Sequence, residues 1–190
     1  MKILLVDNHT KNIKELKDLL NNFDFSLIKK EQFSIKIARN FDLIVFSGGS
    51  GIGVYSVKNH KEEYKTEIDF IKNTDKKVIG ICLGCEIIAV AFDCSLKKLK
   101  LPEKGITKIK MSKGLFDTLF DTKKEILVYE SHRFAIDKVS EDIEILATSD
   151  DGIEIFKHKN KPIYGLQFHP EIFINKTQGR EIFLKILKNI

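Results

Sequence analysis

The stretch "KKVIGICLGCEIIAV", residues 76–90, passes from one apolar run to another through two glycines and two cysteines. Val78 to Ile81 suits a short strand buried on both faces, and Ile87, Ile88 and Ala91 mark the apolar side of a following helix. Between them, Gly80-Ile81-Cys82-Leu83-Gly84 has the form G-x-nucleophile-x-G, in which small neighbours permit a sharp strand-to-helix turn that lifts the central side chain into the open. A cysteine at that turn sits near a helix N-terminus, whose partial positive charge favours thiolate over thiol. Cys82 and Cys85 also form a C-x-x-C, so half of a redox pair, a metal ligand and a merely buried thiol are competing readings of Cys82. A reversible Cys82–Cys85 disulfide that switches a nucleophile off is a further one. A zinc site would need more ligands at sensible spacing, and Cys94 in "AFDCSL" reads as a small buried hydrophobe.

Working outward, Lys2 to Val6 is another strand-like apolar run, followed by Ile13, Leu16 and Leu20 at helical spacing. Leu43 to Phe46 is a third run and ends in the glycine cluster "SGGSGIG", after which Tyr64, Ile68 and Ile71 predict a helix. Strand and helix in alternation imply a parallel sheet covered on both sides. Between Phe25 and Ala38 the pattern alternates weakly, enough for one or two strands of unspecified register. From Ser95 onward the texture changes to short alternating runs, "SLKKLKL", "GITKIKM", "EILVYE", "IEILATS", "GIEIFKH" and "PIYGLQF", which predict antiparallel strands and hairpins. A last helix carries Ile182, Phe183, Ile186, Leu187 and Ile190 on one face. The whole chain, 1–190, reads as one α/β domain with an antiparallel extension in its second half.

The bulk numbers narrow the function. The 32 basic and 27 acidic residues nearly balance, and the excess is lysine, the only arginines being Arg39, Arg133 and Arg180. Nucleic-acid recognition favours clustered arginine on one face, so no nucleic-acid partner is expected. "MKILLVDNHT" lacks the long apolar region of a signal peptide, and no run approaches the roughly 18 residues that cross a bilayer. A cytoplasmic protein without a membrane partner is expected, and three cysteines do not describe a disulfide framework.

Ligands of an open parallel sheet gather at the carboxyl ends of its strands. "DNHT" after the first strand, "SGGSGIG" after Phe46 and "GICLG" after Val78 all lie there. A cysteine nucleophile needs a base and a group that orients the base. Among five histidines, His9, His60 and His158 have no obvious carboxylate partner in sequence, and His132 in "YESHRFAI" follows an apolar strand. His169 in "YGLQFHPE" lies just past a predicted strand with Glu171 two residues on, and Pro170 biases the backbone so that the two side chains can project together.

"SGGSG", "GICLG" and "GLQFHPE", in that order and spacing, resemble the class I (triad) glutamine amidotransferases over essentially the whole chain. "VYESHRFAI" followed by "PIYGLQFHPE" looks most like the stand-alone glutaminase subunits of GMP synthases, and less like the anthranilate or carbamoyl-phosphate synthase subunits. The resemblance implies a flavodoxin-like open mixed sheet with helices on both faces. It implies that Cys82 attacks the side-chain amide of glutamine to form a thioester, with His169 as general base and acid and Glu171 as its orienting carboxylate. Gly49 and the N–H of Leu83 would serve the oxyanion, and Gly48, Gly51, Glu86 and His132 the substrate. No metal or cofactor is needed for that step. A separate ATP-dependent synthetase subunit is the implied partner, for the GMP synthase branch the one that aminates XMP, with His132 and Arg133 at the docking rim. Two positions depart from the family pattern: Ser50 where proline is common, and Glu86 where the C-x-G-x-Q motif has glutamine. An ionised Glu86 only accepts hydrogen bonds, so it suits a substrate ammonium and opposes a substrate carboxylate.

Overall fold

The computed structural model describes residues 1–49, 61–112 and 126–190, so Ser50, Gly51 and His60 lie outside the described residues. The parallel part is built from β1 (Lys2–Asn8), β2 (Asp24–Lys29), β3 (Leu43–Gly49), β4 (Lys77–Ile81) and β9 (Ile163–Leu166), in the order β2-β1-β3-β4-β9. This is the flavodoxin-like order. The weakly patterned region after Phe25 resolves into a single edge strand, β2, then a 3-10 turn and the short helix α2 (Ile35–Ala38).

Alternation along the parallel strands feeds two separate cores. Leu4, Val6, Ile44, Phe46 and Val78 point to the face covered by α3 (Lys65–Asn73) and α4 (Leu83–Ala91). Ile3, Leu5, Leu43, Val45, Ile79 and Ile81 point to the face covered by α1 (Ile13–Leu19) and α5 (Gly179–Asn189). Both faces are dry, which is why these strands read as continuous apolar runs rather than as alternating ones. Helix α5 contributes Ile182, Phe183, Ile186 and Leu187, all buried, and each such side chain stabilises the fold by roughly 1.5–3 kcal/mol on burial.

The second half differs from the expectation in three places. "SLKKLKL" and "GITKIKM" belong to one long strand, β5 (Ser95–Met111). A register shift between Lys98 and Glu103 absorbs Pro102, which has no N–H to give to a ladder. β6 (Ile126–Lys138) runs straight through His132, which is therefore inside a strand rather than after one. "PIYGLQF" supplies β9, which is parallel to β4 and antiparallel to β8 (Ile153–His158). It is thus the joint between the two halves. β7 (Ile143–Thr148) pairs with both β5 and β8, so the antiparallel extension curls back on itself. None of the described helices is long and apolar enough to cross a membrane.

Candidate active site

Cys82 occupies the turn between β4 and α4 with φ 50° and ψ −105°, a backbone conformation that costs a non-glycine residue about 1–3 kcal/mol. Tight crossing of helix and sheet holds it there. A side chain on Gly84 would meet the Phe46 carbonyl oxygen at 2.3 Å, and one on Gly80 would meet the Gly84 oxygen at 2.3 Å. The glycines flanking Cys82 are therefore demanded by backbone approach, which is what lets the helix start directly on the strand end. The first N–H groups of α4 have no intrahelical partner, and Leu83 carries the first of them.

The segment after β9 is pinned across the joint: Gln167 N donates to Glu154 O at 2.8 Å and His169 N to Tyr129 O at 2.8 Å. That places the His169 imidazole against Cys82. A side chain on Gly48 would lie 3.0 Å from His169 Cε1 and 3.5 Å from Cys82 Cβ, so these three residues are in one packed group. His169 Nδ1 donates to Glu171 Oε1 at 2.8 Å, and Asn12 Nδ2 donates to the same oxygen at 3.4 Å. Both the imidazole and the carboxylate are buried. Burial by itself would lower the His169 pKa, but the charge and hydrogen bond of Cys82, followed by those of Glu171, hold it well above the ordinary histidine value. The imidazolium form of His169 is therefore favoured.

A cleft of about 440 Å³ opens over this group. Gly49, Cys82, Leu83, Glu86, His132 and His169 line it together with residues from the loop after β1 and from Pro102 to Lys104. Of the expected substrate contacts, Gly48 is not on that lining; it is packed under the His169 ring. Gly51 lies outside the described residues. Glu86 reaches the cleft while almost entirely buried, and its Oε1 accepts from Gln167 Nε2 at 3.4 Å. His132 reaches the cleft wall with its side chain only 1% exposed, its Nδ1 on the Phe134 carbonyl oxygen at 2.8 Å and its Nε2 facing Glu103 and Glu130. Of the expected docking pair, only Arg133 is exposed.

The remaining described histidines and the other cysteines fall elsewhere. His9 does have a carboxylate partner, Glu31, with Nε2 to Oε1 at 2.6 Å, but the pair is exposed and neither residue lines the cleft. His158 accepts the N–H groups of Asn160 and Lys161, closing a turn. All three cysteines are free, and Cys85 belongs to the opposite core from Cys82, where its sulfur would lie 2.8 Å from a side chain on Gly165. Burial pushes the Cys85 thiol well up, which makes it a poor redox partner. Asn12, Gln167 and Glu103 went unnoticed in the sequence. "DNHT" pointed towards the first and "GLQFHPE" contains the second, whereas nothing in the sequence pattern marks Glu103.

The flavodoxin-like sheet agrees with the comparison to known proteins. The chain matches the family "Glutamine amidotransferase class-I" over residues 4–189, and it belongs to that family. It is 36% identical over 146 residues to the glutamine-hydrolyzing GMP synthase subunit of Methanocaldococcus jannaschii, covering 76% of this chain and 72% of the relative. It is 31% identical over 189 residues to the protein of the same name from Thermoplasma volcanium, covering 96% and 89%. Among solved structures, a provisionally assigned GMP synthase subunit from Thermoplasma acidophilum superposes with a TM-score of 0.83 at 29% identity, covering 99% of this chain and 92% of that one.

Proposed function

We propose that this chain is the glutaminase subunit of a two-subunit synthetase of the GMP synthase kind. The observation that carries the reading is Cys82, held at a positive-φ helix start and charge-coupled to an imidazole that is itself bonded to Glu171. In this mechanism the Cys82 thiolate attacks the side-chain carbonyl carbon of glutamine. The developing oxyanion is met by the Leu83 N–H and the backbone at Gly49, preorganised donors of the type that lower such barriers most. The His169 imidazolium gives its proton to the leaving nitrogen, ammonia departs, and a glutamyl thioester remains. Neutral His169 then takes a proton from water, the hydroxide attacks the thioester, and glutamate leaves with the thiolate restored. Glu171 keeps the ring oriented and favours its charged form throughout.

Ammonia released to solvent would be wasted, so an ATP-dependent synthetase subunit that aminates XMP is the proposed acceptor, with the exposed Arg133 on the rim that meets it. The names of the relatives support this partner. Glu86 favours a second reading, in which the same triad serves another γ-glutamyl or amide substrate or is kept at low activity for binding. Its carboxylate lies in the cleft wall beside Gln167.

Glutamate release from L-glutamine by the purified chain, beside Cys82→Ala and Glu86→Gln and with and without the synthetase subunit, tests both. Turnover that needs Cys82 and rises with the synthetase supports the first reading. Silence in the native chain with turnover gained by Glu86→Gln supports the second.

A further inference from the structure

Behind the cleft wall lies a second group of ligand-bearing side chains that the amide chemistry does not use. Glu103 on β5 and His132 on β6 are directly opposite in the antiparallel register, and Glu130 is two residues away on the same inward face of β6. Glu154 on β8 completes the group; one ligand atom each from Glu103, His132 and Glu154 fall within 4.8 Å of one another. Glu130 and Glu154 are 0% and 1% exposed, so both carboxyl groups have left water behind.

The partners of these groups are divided in a telling way. His132 Nδ1 is fixed on the Phe134 carbonyl oxygen, which turns Nε2 inward. Glu103 Oε1 accepts from Thr107 Oγ1 at 2.7 Å, and Glu154 Oε1 accepts from Ser149 Oγ at 2.7 Å. In each case the second oxygen faces inward. Glu103 Oε2, Glu154 Oε2, both oxygens of Glu130 and His132 Nε2 are buried and make no hydrogen bond of good geometry among the described residues, and His132 Nε2 makes ion-pair approaches to Glu103 and Glu130. One face of every ligand but Glu130 is thus held by an outer group and the other is bare, which is how metal-binding histidines and carboxylates are oriented.

We propose that Glu103, Glu130, His132 and Glu154 form a binding site for one divalent transition-metal ion of the zinc or manganese type. Spacing supports it. His132 Nε2 lies 3.3 Å from Glu103 Oε2 and 3.2 Å from Glu130 Oε2, close to the edge of about 3.3 Å of a tetrahedron whose metal–ligand bonds are about 2.0 Å. A proton on Nε2 can be donated to only one of those carboxylates in good geometry, whereas a divalent ion can take one atom each from Glu103, His132 and Glu154, with Glu130 Oε2 3.2 Å from His132 Nε2 as a further ligand. An imidazole among carboxylates selects zinc or manganese over calcium and magnesium, which favour oxygen-only shells. Glu103, the one member with a side chain reaching 12% exposure, also lines the cleft and provides the way in. The ion would tie β5, β6 and β8 together beneath the active-site wall, with no part in the amide step.

The test uses the full chain in a Cys82→Ala background, so that the cleft thiol cannot capture metal, after removal of metals with a chelator. Zinc and manganese are titrated by calorimetry, and cobalt is added as a spectroscopic probe. Expected are one ion per chain, a rise in melting temperature on binding, a cobalt spectrum without thiolate charge-transfer bands, and weaker calcium binding. Glu130→Gln and Glu154→Gln, which keep side-chain volume, should each weaken zinc binding by at least about tenfold. No stoichiometric binding of either zinc or manganese, affinity unchanged in both variants, or thiolate bands with cobalt would each overturn the assignment and leave a proton-held ion network. None of these readouts depends on glutamine turnover.

Discussion

The two histidines of the cleft wall have been given opposite surroundings. His169 has one carboxylate in line with Nδ1 at 2.8 Å and a thiol beside the rest of its ring. His132 has Nδ1 tied to a backbone carbonyl, and its Nε2 faces two carboxylates at 3.2 and 3.3 Å with no nucleophile bonded to it. Residue type is the same, and both rings are buried. Nδ1 is committed to the scaffold in both, so what separates them is what the rest of the ring faces, which decides whether it can shuttle a proton to a substrate or can only hold a charge or an ion. The contrast follows the architecture. His169 comes from the carboxyl edge of the parallel sheet, where helix starts and glycine turns collect, whereas His132 is a rung in an antiparallel ladder.

Two changes test that difference, a third probes the joint between the two halves, and a fourth measures the background. Cys82→Ala should lower glutamine hydrolysis by on the order of 10⁴-fold or more, since nothing else in the cleft replaces the nucleophile; turnover that persists would make His169 as idle as His132. Glu171→Gln should cost about 10²–10⁴-fold in kcat and move the alkaline limb of the kcat/KM profile to lower pH. The sign follows from the raised His169 pKa. The imidazolium and the stability it contributes are fully present below the unfolded value near 6.5 and are lost as pH rises through the higher folded value, so removing a group that holds the charge brings that loss closer to neutrality. An unmoved limb would mean that Glu171 does not tune the ring.

Gly165→Ala probes the joint that brings the two halves together. The added carbon would lie 2.3–2.4 Å from the Phe156 ring and 2.8 Å from Cys85 Sγ, so a loss of about 1–3 kcal/mol in a denaturant titration is expected. Lys65→Ala removes an exposed i,i+4 pair with Asp69 and should change stability by no more than about 0.5 kcal/mol. A larger effect there would show that the surface of α3 matters to the fold more than its solvation allows.

The parallel half was legible because two dry faces force continuous apolar runs, and because the turn at Cys82 needs glycine on both sides. His169 and Glu171 were legible for a related reason: two residues apart on one turn, closed by Ile172 N donating to His169 O at 3.3 Å, they can meet without help from the rest of the chain. The antiparallel half was harder. Pro102 and Gly105 look like ends of strands, yet β5 passes through them because most of that strand is exposed and a register shift costs it little packing. The direction of β9 relative to β4 leaves no mark on an apolar run. Nor does the meeting of Gln167 with Glu86, or of Glu103 with His132, since each pair is far apart along the chain.

The sequence alone determined the elements whose causes are local: apolar periodicity, the glycine-flanked turn under Cys82, the His-Pro-Glu segment and the family to which they belong. Tertiary structure decided which buried acids share a site, which histidine nitrogen faces them, and that Gly48 lies beneath the imidazole rather than in the cleft. Those outcomes depend on separations of about 3 Å between groups brought together by strand register, and a shift of one residue sends each side chain to the opposite face.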